Sequence, residues 1–152
     1  MFLFTALARR VHEILSQKQR PMRMLVIDDE PIIRMFIVEV LASLGCSTEE
    51  AGAGAEALAK YRAQTGGFDA AIIDVGLPDL GGDEIVAEIR KTDPEFPIVL
   101  ATGYADAKKL EHFKSDPKLA IVGKPFEPEK LADALRRIGL NVQDGATPGS
   151  QL

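Results

Sequence analysis

Four short runs of apolar residues recur along the chain, and polar residues follow each of them. The runs cover residues 24–27, 70–73, 98–101 and 119–122. Short runs rich in Val, Ile and Leu that end in polar residues are typical of strands buried on both faces. In chain order, the polar residues after the runs are Asp28 and Asp29, Asp74, Thr102, and Lys124. The pattern therefore predicts four buried strands with candidate chemistry at their carboxyl ends.

Helical patterns fill the segments between these runs. The predicted helices extend from Pro31 to just before Gly45, from Gly54 to Thr65, from Asp83 to just before Asp93, from Ala105 to Phe113, and from Pro128 to just before Gly139. Pro at a first helical position and Gly after the last one are common boundary signals, and we expect Asp83 to cap the third helix. Residues 46–50 would complete the alternation as a further strand, and their polarity predicts an edge strand.

The alternation of strands and helices predicts a parallel sheet, because parallel strands need the crossover that a helix supplies. The carboxyl ends of parallel strands lie at one edge of the sheet. Ligands bind outside that edge, near the point where the strand order reverses. Asp28, Asp29, Asp74, Thr102 and Lys124 are therefore expected to meet in one crevice.

Four segments, each at a predicted strand end, resemble the receiver domain of two-component response regulators, the CheY-like superfamily. They cover residues 24–31, 74–82, 101–104 and 123–126, and the resemblance extends over about residues 22–139. Four such matches in this order are far more specific than any one alone. The resemblance implies an α/β fold of the flavodoxin-like type, a doubly wound parallel sheet with strand order 2-1-3-4-5.

The resemblance also implies a phosphoacceptor and a Mg²⁺ site. Asp74 would accept a phosphoryl group, since a carboxylate can act as a nucleophile and form an aspartyl phosphate. Asp29 and Asp74 would bind Mg²⁺ directly, Asp28 would bind it through water, and the backbone carbonyl of Gly76 would be a third protein ligand. Mg²⁺ prefers such oxygen ligands together with phosphate oxygen.

The remaining matched positions are those of the switch. The resemblance implies that Thr102 and Lys124 contact the phosphoryl group and that the peptide bond before Pro125 is cis. Most receivers carry an aromatic switch residue where this chain has Ile121. We hypothesise that Tyr104 takes part in switching; the alternative is simple edge packing. Residues 97–104 are similar to a stand-alone receiver subfamily with an Ala-Thr-Gly-Tyr motif, whose usual partner is a histidine kinase of the HWE type.

The chain ends fall outside the resemblance. Residues 1–21 are predicted to form an amphipathic helical extension, because Phe4, Leu7, Val11 and Ile14 recur three and four positions apart. We interpret this helix either as a homodimerising or partner-binding element or as a helix packed on its own domain, and a start at Met22 or Met24 is a further alternative. Residues 140–152 are rich in Gly, Pro, Ser, Asn and Gln and are expected to form a flexible tail.

Composition limits the class of function. With 152 residues and a net charge of −5, the chain is predicted to be one domain that binds neither nucleic acid nor membranes. Cys46 is its only cysteine, which excludes an intrachain disulfide and fits a reducing cytoplasm. The first residues match neither a signal peptide nor a membrane span, so we expect a cytoplasmic protein.

The expected partner is a sensor histidine kinase or a histidine phosphotransfer protein. We expect a signalling protein rather than an enzyme, with at most self-catalysed phosphorylation and dephosphorylation. Because the sequence offers no output domain, the signal would leave by protein contact or by passing the phosphoryl group onward. A phosphate sink that drains a shared kinase is the alternative within the family.

Two alternatives come from other classes. A small phosphohydrolase would use Asp74 as a transient nucleophile on an outside substrate, and sustained turnover of small phosphate esters would identify it. Residues 52–57 fit the G-x-G-x-x-A pattern of dinucleotide-binding proteins, with Asp74 as the ribose-binding acid. However, the preceding strand is the weakest in the chain, and this interpretation leaves the other four polar site residues unused.

Overall fold

The structure is a five-stranded parallel sheet with helices on both faces. It is a computed structural model that describes residues 2–63, 67–103 and 108–145. The strands are β1 (Arg23–Ile27), β2 (Ser47–Ala51), β3 (Ala70–Asp74), β4 (Ile98–Thr102) and β5 (Leu119–Gly123). Their order is β2-β1-β3-β4-β5, and all four pairings are parallel. This confirms the predicted doubly wound fold and its strand order.

The helices follow the predicted order. They are α1 (Phe2–Gln19), α2 (Pro31–Ser43), α3 (Gly54–Ala63), α4 (Gly82–Thr92) and α5 (Pro128–Arg137), with a 3₁₀ helix at Glu111–Ser115 before β5. Alternate side chains of a strand point to opposite faces, so each face of the sheet has its own core. Met24 and Val26 of β1 pack with α2 and α5, whereas Leu25 and Ile27 pack with α3 and α4.

Strand β2 lies at an edge of the sheet, as its polarity predicts. It carries two adjacent glutamates, and each is paired with an arginine. Arg23 contacts Glu49 at 2.6 Å and Arg34 contacts Glu50 at 3.0 Å. The strand thus gains its place mainly from backbone pairing with β1, since only Ala51 at its end is buried and ion pairs this exposed contribute little.

Two predictions about helices are wrong. Asp83 does not cap α4: the capping position is Gly81, and the helix begins one residue later. A Cβ on Gly82 would lie 2.7 Å from the carbonyl oxygen of Asp74, so the helix starts where glycine lets it touch the end of β3. The predicted fourth helix also fails, because residues 108–110 form turns that lead into the 3₁₀ helix; residues 105–107 lie outside the described part.

Helix α1 confirms the predicted amphipathic helix at the start of the chain. The side chains of its apolar stripe are exposed, at 83% for Phe4, 62% for Leu7, 46% for Val11 and 49% for Ile14. The stripe is therefore not packed on its own domain. Within the described ranges, no helix combines the length and apolarity needed to cross a membrane.

Residues 140–145 follow α5 and run back along the domain. Val142 is buried in the core beside α2, and the N–H of Gln143 donates to the carbonyl of Leu44 at 3.2 Å. The rest of the predicted flexible tail, residues 146–152, lies outside the described part.

Candidate functional site

Three aspartates meet at the carboxyl edge of the sheet. Asp28 and Asp29 follow β1, and Asp74 ends β3. Because β1 and β3 are neighbours with Ile27 opposite Ile73, the carboxylates after them are brought together. One oxygen from each of the three lies within 4.8 Å of the others. Asp28 and Asp74 are buried and Asp29 is exposed, which leaves one open side.

Lys124 joins the two buried carboxylates. Its Nζ lies 2.8 Å from Oδ2 of Asp28 and 3.0 Å from Oδ1 of Asp74. The N–H of Glu30 donates to Oδ1 of Asp28 at 2.9 Å, and the N–H of Gly76 donates to Oδ1 of Asp74 at 3.1 Å. Buried charges need such partners, because an unpaired one carries a large desolvation penalty.

The two carboxylates also change the pKa of Lys124. Burial disfavours the charged ammonium, but hydrogen bonds to Asp28 and Asp74, together with their negative charges, outweigh this effect and raise the pKa of Lys124. The lysine is therefore a permanent cation in the neutral range. The peptide bond between Lys124 and Pro125 is cis, as the resemblance to receiver domains implies.

The donor set fits a magnesium ion. All three side chains offer carboxylate oxygen, which is the ligand type that Mg²⁺ prefers over the nitrogen and sulfur ligands of zinc. Three carboxylates face one ammonium, so two negative charges remain for a divalent cation to balance. The exposed Asp29 leaves room for the waters that Mg²⁺ retains.

Thr102 ends β4, the strand next to β3, and its neighbour Ala101 lies opposite Asp74. The threonine is buried, and its hydroxyl donates to the carbonyl of Gly103 at 3.0 Å. Its own carbonyl accepts the N–H of Lys124 at 2.7 Å. The backbone therefore connects the two predicted switch residues. Tyr104, the third one, lies outside the described residues.

Sequence reasoning missed Arg34, which holds the backbone at the acidic pair. Its Nη1 donates to the carbonyl of Asp28 at 2.6 Å, while its Nε contacts Glu50 of β2. Arginine on the exposed start of a helix resembles a solvated charge, and no spacing rule links residue 34 to residue 50. Only the fold brings these groups together.

Sequence reasoning also missed Asp79, in the loop between β3 and α4. Its carboxylate accepts the backbone N–H groups of Gly54 at 2.9 Å and Ala55 at 3.0 Å, at the start of α3. These two hydrogen bonds lower the pKa of Asp79. Asp after Pro in a loop usually indicates a turn, so the sequence carries no signal for a contact with a residue 25 positions earlier.

This contact also bears on the dinucleotide alternative. In dinucleotide-binding folds the glycine-rich turn places a pyrophosphate at the helix N-terminus. Here Asp79 holds that N-terminus, and a Cβ on Gly54 would lie 2.6 Å from the Cβ of Leu80. Close packing of α3 against the next loop therefore accounts for Gly54 without a nucleotide.

The chain matches known proteins over most of its length. The family described as response regulator receiver domain matches residues 24–136. The chemotaxis protein CheY of Thermotoga maritima is 30% identical over 118 residues, 76% of this chain and 96% of that protein. The sensor kinase CckA of Brucella abortus is 32% identical over 120 residues, which are 79% of this chain but only 13% of that kinase.

The fold is also similar to that of a solved receiver domain structure. The response regulator receiver domain protein from Clostridium thermocellum superposes with a TM-score of 0.71 at 28% identity. The match covers 77% of this chain and 94% of that one. The shared part is thus almost a complete domain of the solved protein.

Proposed function

This chain belongs to the family of response regulator receiver domains, and from that premise we propose that Asp74 accepts a phosphoryl group from the phosphohistidine of a sensor histidine kinase or a histidine phosphotransfer protein. Receiver domains are signalling proteins of two-component systems. The observation that carries the proposal is the convergence of Asp28, Asp29 and Asp74 around the ammonium of Lys124. A structural role alone does not call for three carboxylates at one sheet edge.

The geometry suggests how the transfer proceeds. Oδ1 of Asp74 already accepts hydrogen bonds from Lys124 and Gly76, so we assign the attack to Oδ2. The bond from Oδ2 to phosphorus forms as the bond from the donor's imidazole nitrogen to phosphorus breaks, and the imidazole leaves with that electron pair. Lys124 compensates negative charge on the transferred group.

Receiver domains bind Mg²⁺ at an acidic pocket, and we assign that role here to Asp28, Asp29, Asp74 and the backbone carbonyl of Gly76. The ion supplies positive charge that offsets repulsion between the carboxylates and the incoming phosphoryl group. Asp28 would act through water, as the resemblance to receiver domains implies, and its two oxygens also accept hydrogen bonds from Lys124 and from the N–H of Glu30.

The new phosphoryl group would be reported through Thr102 and Lys124. Lys124 has to exchange part of its contact with Asp28 for a phosphoryl oxygen, and the Thr102 hydroxyl has to leave the Gly103 carbonyl to donate to another. Because the N–H of Lys124 donates to the Thr102 carbonyl, the two movements are mechanically linked. Tyr104, two residues beyond Thr102, is the aromatic residue that we propose to take part in switching.

An apolar surface beside the site supports contact with a phosphodonor protein. Ile32, Met35 and Phe36 at the start of α2 are exposed by 75%, 57% and 37%. The ring of Phe126, just after Pro125, lies 5.9 Å from that of Phe36. Exposed apolar patches of this kind mark interaction sites.

We propose that the phosphodonor is a histidine kinase of the HWE type and that it acts in the cytoplasm. The signal then leaves by protein contact or by onward transfer of the phosphoryl group. The alternative is that the protein is a phosphate sink.

We further propose that α1 is a separate extension, residues 1–21, on a receiver domain of residues 22–139 with a tail at 140–152. Its exposed residues Phe4, Leu7, Val11 and Ile14 follow the three-four spacing of a coiled-coil seam. A second copy of the helix would cover this seam, so a homodimer through α1 is the arrangement that we favour.

Intact mass after incubation with acetyl phosphate and Mg²⁺ tests the proposed function. We expect one added phosphoryl group on the wild type and none on Asp74→Asn. A gain of equal size on Asp74→Asn would overturn the assignment of Asp74. Sustained release of phosphate from small esters, abolished by the same substitution, would instead favour a phosphohydrolase.

A further inference from the structure

We propose that Asp79 is a positioning residue for the metal site: it fixes the loop that carries Gly76 by anchoring it to the start of α3. The inference rests on the proposed function, which gives the carbonyl of Gly76 to Mg²⁺. Asp79 itself lies five residues after the phosphoacceptor, is exposed, and is not among the three clustered carboxylates.

The loop of residues 75–81 is held at both of its ends. Val75 follows β3 directly, and its N–H donates to the carbonyl of Ala101 at 3.0 Å. The N–H of Gly82 donates back to the carbonyl of Val75 at 3.2 Å, and the absence of a side chain on Gly82 permits this approach. Between these points the chain must hold Gly76 steady for its carbonyl to act as a ligand.

Asp79 supplies a contact from the middle of the loop to another element. Both of its carboxylate oxygens are used, one for the N–H of Gly54 and one for the N–H of Ala55. These N–H groups belong to the first turn of a helix, where they have no intrahelical acceptor and favour negative charge. The contact therefore gives two N–H groups at the start of α3 a hydrogen-bond acceptor, and it restrains the loop at the same time.

Gly54 provides independent support for close contact between this loop and the start of α3. A Cβ at this position would lie 2.6 Å from the Cβ of Leu80 and 3.1 Å from its carbonyl oxygen. The loop and the helix start are thus closer than any other residue type would allow, and the closest atoms belong to the residue next to Asp79. Groups that hydrogen-bond metal ligands typically change metal affinity by about 10-fold to 100-fold when removed, and we expect a restraint that acts through the loop to lie at the lower end of this range.

Glu56 offers a matched control on the same helix. Its carboxylate accepts the N–H of Gly52 at 3.1 Å and pairs with Lys60 at 3.0 Å. It has the same charge as Asp79 and also accepts a backbone N–H, that of Gly52 just before α3, but it makes its contacts within its own segment. Replacing Glu56 by Ala therefore removes a carboxylate near the helix start without releasing the loop.

Calorimetric titration of the full chain with MgCl₂ tests the proposal. We expect Asp79→Ala to weaken Mg²⁺ binding about tenfold, at the lower end of the range for groups that hydrogen-bond metal ligands. Asp79→Asn keeps one acceptor oxygen and should fall between Asp79→Ala and wild type. Glu56→Ala, the control for Asp79→Ala, and Glu56→Gln, the control for Asp79→Asn, should both stay within about twofold of wild type. Hydrogen exchange without Mg²⁺ should be faster at residues 76–80 in Asp79→Ala only.

The outcomes separate this inference from the proposed function. Equal Mg²⁺ affinities for wild type and Asp79→Ala, or an equal loss in Glu56→Ala, would overturn the positioning role and leave the phosphoacceptor intact. A wild type that binds no Mg²⁺ would overturn both. If Asp79→Ala fails to fold, the graded response of Asp79→Asn against Glu56→Gln decides the same question.

Discussion

The ammonium of Lys124 lies 2.8 Å from a carboxylate oxygen of Asp28, and these two residues are 96 positions apart in the chain. Asp28 has no exposed surface, so its charge depends on this contact and on the N–H of Glu30. The same ammonium also reaches Asp74. One cation thus stabilises both buried acids before any metal or phosphoryl group arrives.

Replacing Lys124 by Met should destabilise the domain by about 3 kcal/mol, because breaking a buried pair leaves an uncompensated charge. Mg²⁺ should recover part of this loss, since it balances the same carboxylates. Urea unfolding with Mg²⁺ and with a chelator measures both effects. Lys130→Met, at an exposed position of α5, is the control and should change stability little. A similar loss in both variants would contradict the interpretation.

The contribution of Lys124 should also depend on pH. Its pKa is raised above the ordinary value of 10.5 in the folded protein, so the folded state retains this proton more tightly than the unfolded state. The stabilisation is therefore complete below pH 10.5 and is lost as the pH rises through the folded pKa. We expect the difference in unfolding free energy between wild type and Lys124→Met to stay constant at neutral pH and to shrink in strong alkali. An increase in that range would be inconsistent with this sign.

A side chain at position 82 should disturb the end of β3. The Cβ of Gly82→Ala would lie 2.7 Å from the carbonyl oxygen of Asp74 and 2.8 Å from the Cα of Val75. Both are backbone atoms, so relieving the clash would require the end of β3 or the start of α4 to shift. We expect a loss of about 2 kcal/mol in thermal or urea unfolding, within the range for overpacked sites. Gly123→Ala is the comparison, because its Cβ would meet nothing within 4 Å. It should change stability by no more than about 0.5 kcal/mol.

A charge on the exposed stripe of α1 should change association without changing stability. Leu7 is 62% exposed, so Leu7→Glu removes no core packing within one domain. If α1 joins two copies, sedimentation velocity should show a dimer for the wild type and a monomer for Leu7→Glu, with equal unfolding midpoints at low concentration. Glu13→Gln, a change elsewhere on the helix that adds no charge to the stripe, should remain dimeric. A monomeric wild type would end the dimer proposal.

The sheet could be predicted from the sequence because its strands are buried on both faces. In β3 every residue is buried, and the four residues before Asp74 form the unbroken apolar run that such surroundings favour. Strand β2 followed only from the alternation of elements, since its apolar content is low. The carboxylates could be placed in one crevice because topology alone brings strand ends together.

The failed predictions concern tertiary contacts and short segments. Asp83 looks like a helix cap, but the approach of Gly82 to Asp74 moves the start of α4. The predicted fourth helix is short, so it gains little from helix propagation, and its described part forms turns and the start of a 3₁₀ helix instead. The contacts of Arg34 and Asp79 join distant segments, and local patterns hold no information about them.

The glutamates of β2 have a consequence beyond their ion pairs. The outer side of an edge strand is a template on which a strand of another molecule can add, and this is a common route to aggregation. A second copy adding in register would set its own Glu49 and Glu50 beside those of the first. Like charges directly opposite each other are destabilising, so we expect this edge to resist uncontrolled growth of the sheet.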